Sequence, residues 1–173
     1  PQPLFEKIIA AKNYMAASMM LRQLYFSLLD LELYEKYDGS VMVHGGTEVS
    51  RAKDGDRLTV RDIQKRIAAD YTVIPPLPED AFLCSFSHIF AGGYAAGYYS
   101  YKWAEVLSAD AFEAFEEARE RTGTVLDTQT GRRFWDEILA VGGSRPTLES
   151  FKAFRGREPR PDALLRHSGM VTA

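Results

Sequence analysis

This sequence of 173 residues is poor in the residue types that build several common kinds of site. It has one cysteine, Cys84, so no disulfide framework can form within the chain, as expected of a reducing compartment. Cys84 reads as a small buried hydrophobe rather than a reactive thiol, since His88 is the one candidate base near it. Histidine is scarce as well: His44, His88 and His167 are the full set, and no two of them are four apart. A helix presenting two imidazoles to one metal is therefore excluded. There is no excess of positive charge, with 21 Lys and Arg against 24 Asp and Glu, which argues against a nucleic-acid partner. No apolar run approaches the roughly 20 residues that cross a bilayer, so no membrane partner is expected. The start, Pro1-Gln2-Pro3-Leu4, shows neither a basic n-region nor an apolar h-region. It reads as a stretch of something longer.

What is present belongs to a globular, mainly α protein. Apolar residues make up 46% and aromatics 12%, enough for a packed core. Between Leu4 and Asp38 there is no Gly or Pro, and Leu4, Ile8, Tyr14, Met15, Met19, Leu21, Leu24, Leu28 and Leu31 follow a helical period. One long helix is expected there, continuous or with a break, about 50 Å long if continuous and packed on two sides. Residues 38–58, with Gly39, Gly45, Gly46 and Gly55, read as a loop or at most a small hairpin around 39–58. A helix over Thr59–Tyr71 carries Thr59 as N-cap and Asp62 as the acid of a capping box. Further helices are expected over Gly97–Arg121 (starting near Gly93), Thr130–Val141, Thr147–Phe154 and Pro161–Ser168. The whole of 1–173 reads as a single helical unit.

One segment stands apart. Between Gly92 and Tyr101 lie four tyrosines and three glycines. Tyr94, Tyr98 and Tyr101 fall at i, i+4 and i+7, which on a helix places three hydroxyls on one face. A phenol stays protonated at neutral pH and can donate to a carbonyl, or to the oxyanion that replaces it during hydrolysis. Gly92 and Gly93 would let a ligand approach the backbone closely. The competing reading is an aromatic stripe packed in a core, with His88 as a hydrogen-bonded structural histidine.

The run His88-Ile89-Phe90-Ala91-Gly92-Gly93-Tyr94-Ala95-Ala96-Gly97-Tyr98-Tyr99-Ser100-Tyr101-Lys102-Trp103 resembles a signature of the thimet oligopeptidase and oligopeptidase A family of zinc metallopeptidases. Two further blocks agree with it in order. Ala10-Ala11-Lys12-Asn13-Tyr14 with Leu21-Arg22-Gln23-Leu24 precedes it, and Gly142-Gly143-Ser144 with Phe151 to Pro159 and Asp162 to Leu165 follows. The resemblance implies the helical C-terminal part of a zincin-type catalytic domain, acting on short peptides in the cytoplasm. It implies that Tyr101, Tyr94 and His88 steady the substrate carbonyl and its oxyanion, and that Tyr98, Gly92 and Gly93 help to bind substrate. In the family, zinc sits on a His-Glu-x-x-His helix plus a downstream Glu. This sequence has no such helix, so zinc is expected in the complete enzyme and none on this chain. The partners implied are peptide substrates and the missing N-terminal catalytic portion, and self-association of the fragment stays open. The alternative is a helical interaction domain that keeps the family's shape without its catalysis.

Overall fold

A computed structural model describes residues 1–44, 47–52 and 59–171, and the side chains of 38–58 are outside what it describes. The chain divides into two compact units, Pro1–Asn13 with Trp103–Ala173, and Tyr14–Lys102.

The second unit is organised by a helix. Helix α1 (Gln2–Ala11) ends before residues 12–15, where Met15 adopts a left-handed φ of 55°, and α2 (Ala16–Lys36) begins after that break. The expectation of one helix packed on two sides holds for α2 and is corrected for α1. Helix α2 buries Tyr25, Phe26, Leu29, Asp30 and Leu33, whereas α1 buries nothing and exposes more than half of Leu4, Phe5, Ile8 and Ile9. Helix α2 runs directly into strand β1 (Tyr37–His44), which pairs antiparallel with β2 (Thr47–Ala52) in the register His44 to Thr47, Met42 to Val49. This is the small hairpin of the sequence reading.

Helix α3 (Val60–Tyr71) starts on the expected capping box. The Asp62 N–H donates to Thr59 Oγ1 at 3.1 Å, and the Thr59 N–H donates to Asp62 Oδ2 at 3.0 Å. Its inner face, Ile63, Ile67 and Ala68, packs with Phe26, Leu29 and Leu33 of α2. After Pro75, Pro76 and Pro78 come a single turn, α4 (Phe82–Ser85), and a 3₁₀ turn at Ser87–Ile89. Phe82 stacks on Phe26 and Phe86 at 4.6 and 4.9 Å between ring centres, and Phe26 meets Phe86 at a tilt at 5.2 Å. Cys84, expected to be buried, is exposed, because one turn of helix can seat only Phe82 and Leu83 against the core.

Helix α5 (Ser100–Thr122) starts later than Gly93 or Gly97. Gly93 and Ala96 hold φ of 83° and 52°, and a left-handed residue cannot continue a right-handed helix. In the first unit, Asp127 caps α6 (Thr128–Phe134), two residues earlier than expected, by accepting the Thr130 N–H at 2.8 Å. A wider turn follows, in which the Ala140 N–H reaches the Trp135 carbonyl. Helices α7 (Thr147–Arg155) and α8 (Asp162–His167) agree with their expected spans to within about two residues. Phe151, Phe154, Ala114 and Ala118 are buried, and Phe134 meets Phe154 edge-on at 5.3 Å. Buried Asp110 takes hydrogen bonds from Arg155, Arg157 and the Arg160 N–H, fastening 155–160 to α5.

Candidate functional site: a tyrosine loop on helix α2

The Ser87–Tyr101 segment lies within one unit, and its backbone explains its composition. The Ser87 carbonyl accepts the N–H groups of Phe90 at 3.1 Å and Gly92 at 2.8 Å, and the His88 carbonyl accepts that of Tyr94 at 3.0 Å. This folds 87–94 into a tight turn. A Cβ at Gly92 would stand 2.7 Å from His88 Cα and 3.0 Å from its carbonyl oxygen, so no side chain fits there. Gly93 meets nothing, and its φ of 83° is what requires glycine. The two glycines thus shape the turn that carries His88 and Tyr94.

The three tyrosines converge, though not along a helix. Tyr94 precedes α5 across a non-helical stretch, and still its ring lies 5.0 Å from that of Tyr101. The Tyr98 ring is 5.1 Å from Tyr101, and His88 is about 6 Å from both Tyr94 and Tyr98. Their exposures differ. Tyr98 is 9% exposed, packed edge-on against Phe26 and Phe86, and its hydroxyl donates to Gln23 Oε1 at 3.1 Å. Tyr94 and Tyr101 are 37% and 40% exposed. The core reading therefore describes Tyr98, while the other two are partly exposed.

The Tyr101 phenol is pushed up to about 12, first by its hydrogen bond to Tyr94, then by burial and by its two tyrosine neighbours. It stays protonated through the physiological range and remains a donor. Burial raises the Tyr98 phenol too, against the lowering influence of Arg22.

Helix α2 supports this segment through residues to which the sequence reading gave no role. Asp30, wholly buried, accepts the N–H groups of Ala96 at 2.9 Å and Tyr98 at 3.0 Å. The Tyr34 hydroxyl donates to the Ile89 carbonyl, and Gln23 takes the Tyr98 hydroxyl. A lone acid inside Leu28-Leu29-Asp30-Leu31 was the available signal, because an ionised group on an apolar face needs a partner.

Two other features of the described residues lie apart from the tyrosines. A groove of about 580 Å³ runs along α3, lined by Arg61, Gln64, Lys65, Pro76, Leu77 and Asp80 among others. No group of three or more His, Cys, Asp or Glu among the described residues could hold a metal ion, and no described helix is long and apolar enough to cross a membrane.

The profile of peptidase family M3 matches residues 1–170. The chain belongs to that family. It is 52% identical over 173 residues to the Arabidopsis thaliana protein named organellar oligopeptidase A, chloroplastic/mitochondrial, covering 100% of this chain and 20% of that protein. It is 51% identical, again over its whole length, to the probable cytosolic oligopeptidase A of Arabidopsis thaliana, covering 22% of that protein. It is 44% identical over 172 residues to oligopeptidase A of Escherichia coli (strain K12), covering 98% of this chain and 22% of that protein. The chain thus spans about a fifth of the length of these relatives.

Proposed function

We propose that this chain forms the substrate-facing wall of a zinc-dependent oligopeptidase that hydrolyses short peptides. The observation that carries the reading is the Tyr94–Tyr101 pair: two neighbouring phenols, each more than a third exposed, one of them pushed up to about 12. During hydrolysis the carbonyl oxygen gains negative charge, and a fixed donor that meets the charge as it develops lowers the barrier. Tyr101 serves as that donor by turning its hydroxyl from Tyr94 to the substrate oxygen. Tyr94 and His88 flank the same position, and Gly92 and Gly93 hold the turn that presents them. Tyr98, with its hydroxyl on Gln23, supports the pair from the core rather than from the substrate side.

The resemblance assigns zinc and the general base to a His-Glu-x-x-His helix. The described residues do not fit a zinc site. On this reading the chain alone binds no stoichiometric zinc and cleaves no peptide, and it works with the catalytic portion of the complete protein. Relatives bear both organellar and cytosolic names. A cytosolic setting fits a single, exposed cysteine.

The test is Tyr101→Phe in the complete oligopeptidase. Losing one oxyanion donor typically lowers kcat about 10²–10³-fold, with KM for a short peptide nearly unchanged. An unchanged kcat would sink the assignment and leave the non-catalytic interaction domain as the better account. Chelator-sensitive peptidase activity from this chain alone would contradict the division of labour.

A further inference from the structure

Asp30 presents a physical problem. It sits on α2 with no exposed surface, on a helix whose Phe26, Leu29 and Leu33 belong to the same apolar core as Tyr98. Burying a carboxylate in such surroundings is strongly unfavourable unless donors replace its water. Its two donors come from 66 and 68 residues along the chain, and both are backbone N–H groups, of Ala96 and Tyr98. Neither group can serve an α-helix there. Ala96 is left-handed, with φ of 52°, a state that alanine disfavours and holds only under outside constraint.

The two anchored residues lie between the functional ones in sequence. Ala96 lies two residues after Tyr94, and Tyr98 lies three before Tyr101, whose N–H donates back to the Tyr98 carbonyl at 3.3 Å. Each end of α2's contact stripe adds a further tie, Gln23 to the Tyr98 hydroxyl and Tyr34 to the Ile89 carbonyl. Positions 23, 30 and 34 share one face of a helix. A carboxyl that accepts two backbone amides at once, at 2.9 and 3.0 Å, holds both in direction, which suits it to fixing a loop.

We propose that Asp30 is a positioning residue: by accepting the Ala96 and Tyr98 N–H groups, it sets the loop so that the Tyr94 and Tyr101 hydroxyls converge on the substrate carbonyl. The proposal rests on the tyrosine reading above. It requires that freeing these amides harm the chemical step more than binding, since a misplacement of about 1 Å can cost on the order of 10² in rate.

The test uses Asp30→Asn, Asp30→Ser and Tyr101→Phe in the complete oligopeptidase, with kcat, KM, melting temperature and amide hydrogen exchange over 94–101. Asp30→Asn keeps the shape and one acceptor. It is expected to speed exchange at Ala96 and Tyr98 about tenfold or more and to lower kcat by at least about tenfold, with KM within about twofold. Asp30→Ser frees the amides, and its short hydroxyl can bond back to its own helix. The same losses are expected of it, and it carries the test if Asp30→Asn fails to fold. Unchanged exchange in a folded Asp30 variant overturns the proposal. So does faster exchange with unchanged kcat while Tyr101→Phe is impaired. If Tyr101→Phe also keeps full kcat, the tyrosine reading itself has failed and takes this proposal with it.

Discussion

Replacing Asp110 by Asn would show how the segment after α7 is held. Asp110 has no exposed surface and accepts four hydrogen bonds: Arg157 Nη1 and Nη2 at 2.7 Å each, the Arg160 N–H at 2.7 Å, and Arg155 Nε at 3.0 Å. Removing one partner from a buried charged pair costs about 3–5 kcal/mol, mostly from the charges left behind. Glu113 and Glu117 still hold Arg155, and Glu113 still holds Arg157, so the lower end, about 3 kcal/mol, is expected. In a chain of this size that lowers the melting temperature by roughly 6–12 °C.

The pH dependence follows in sign. Burial would raise the Asp110 carboxyl, but hydrogen bonds from Arg157, Arg160 and Arg155 outweigh it and hold the group below its ordinary value. A carboxyl lowered in the folded state contributes stability fully above its unfolded value, near pH 4, and loses it as pH falls through the folded value. Wild-type stability should therefore fall on acidification below about pH 4, and Asp110→Asn should flatten that limb. Thermal unfolding followed by circular dichroism from pH 2.5 to 7 reads both effects. A melting temperature within about 2 °C of wild type at pH 7, or an unaltered acid limb, would refute the reasoning.

Two smaller perturbations address other joints. Thr59→Ala removes the capping box of α3 and should cost about 1 kcal/mol, a fall of about 2–4 °C on the same assay. A folded Gly92→Ala must displace the His88 backbone 2.7 Å away and is expected to cost about 1–3 kcal/mol, as overpacking does. In the complete enzyme it should lower kcat at least about tenfold through the misplaced loop.

Local chemistry made much of this fold legible. Thr59 and Asp62 marked the start of α3 because a capping box is read within four residues. The hairpin and the helices near the C-terminus followed from glycine and proline punctuation. Long-range contacts were the difficulty. Tyr94, Tyr98 and Tyr101 looked like a helical stripe, but their rings meet because a left-handed Ala96 and buried Asp30, distant in sequence, bend the loop back on α2. No periodicity reveals that. Spacing also assigned Tyr98 to the same face as its neighbours, whereas the core takes it. The sequence reading allowed a break in the run from Leu4 but did not place it at residues 12–15, because none of Lys12, Asn13, Tyr14 and Met15 is a strong helix breaker.

The central claim, that Tyr101 meets charge at the oxyanion rather than merely binding peptide, has a direct test. The affinity of the complete oligopeptidase for a phosphinic peptide, whose tetrahedral centre mimics the hydrolysis intermediate, is compared with its affinity for the matching substrate. Tyr101→Phe should weaken the phosphinic peptide about as much as it lowers kcat/KM, on the order of a hundredfold, and leave substrate binding within about twofold. Equal weakening of both ligands, or of neither, would contradict the account.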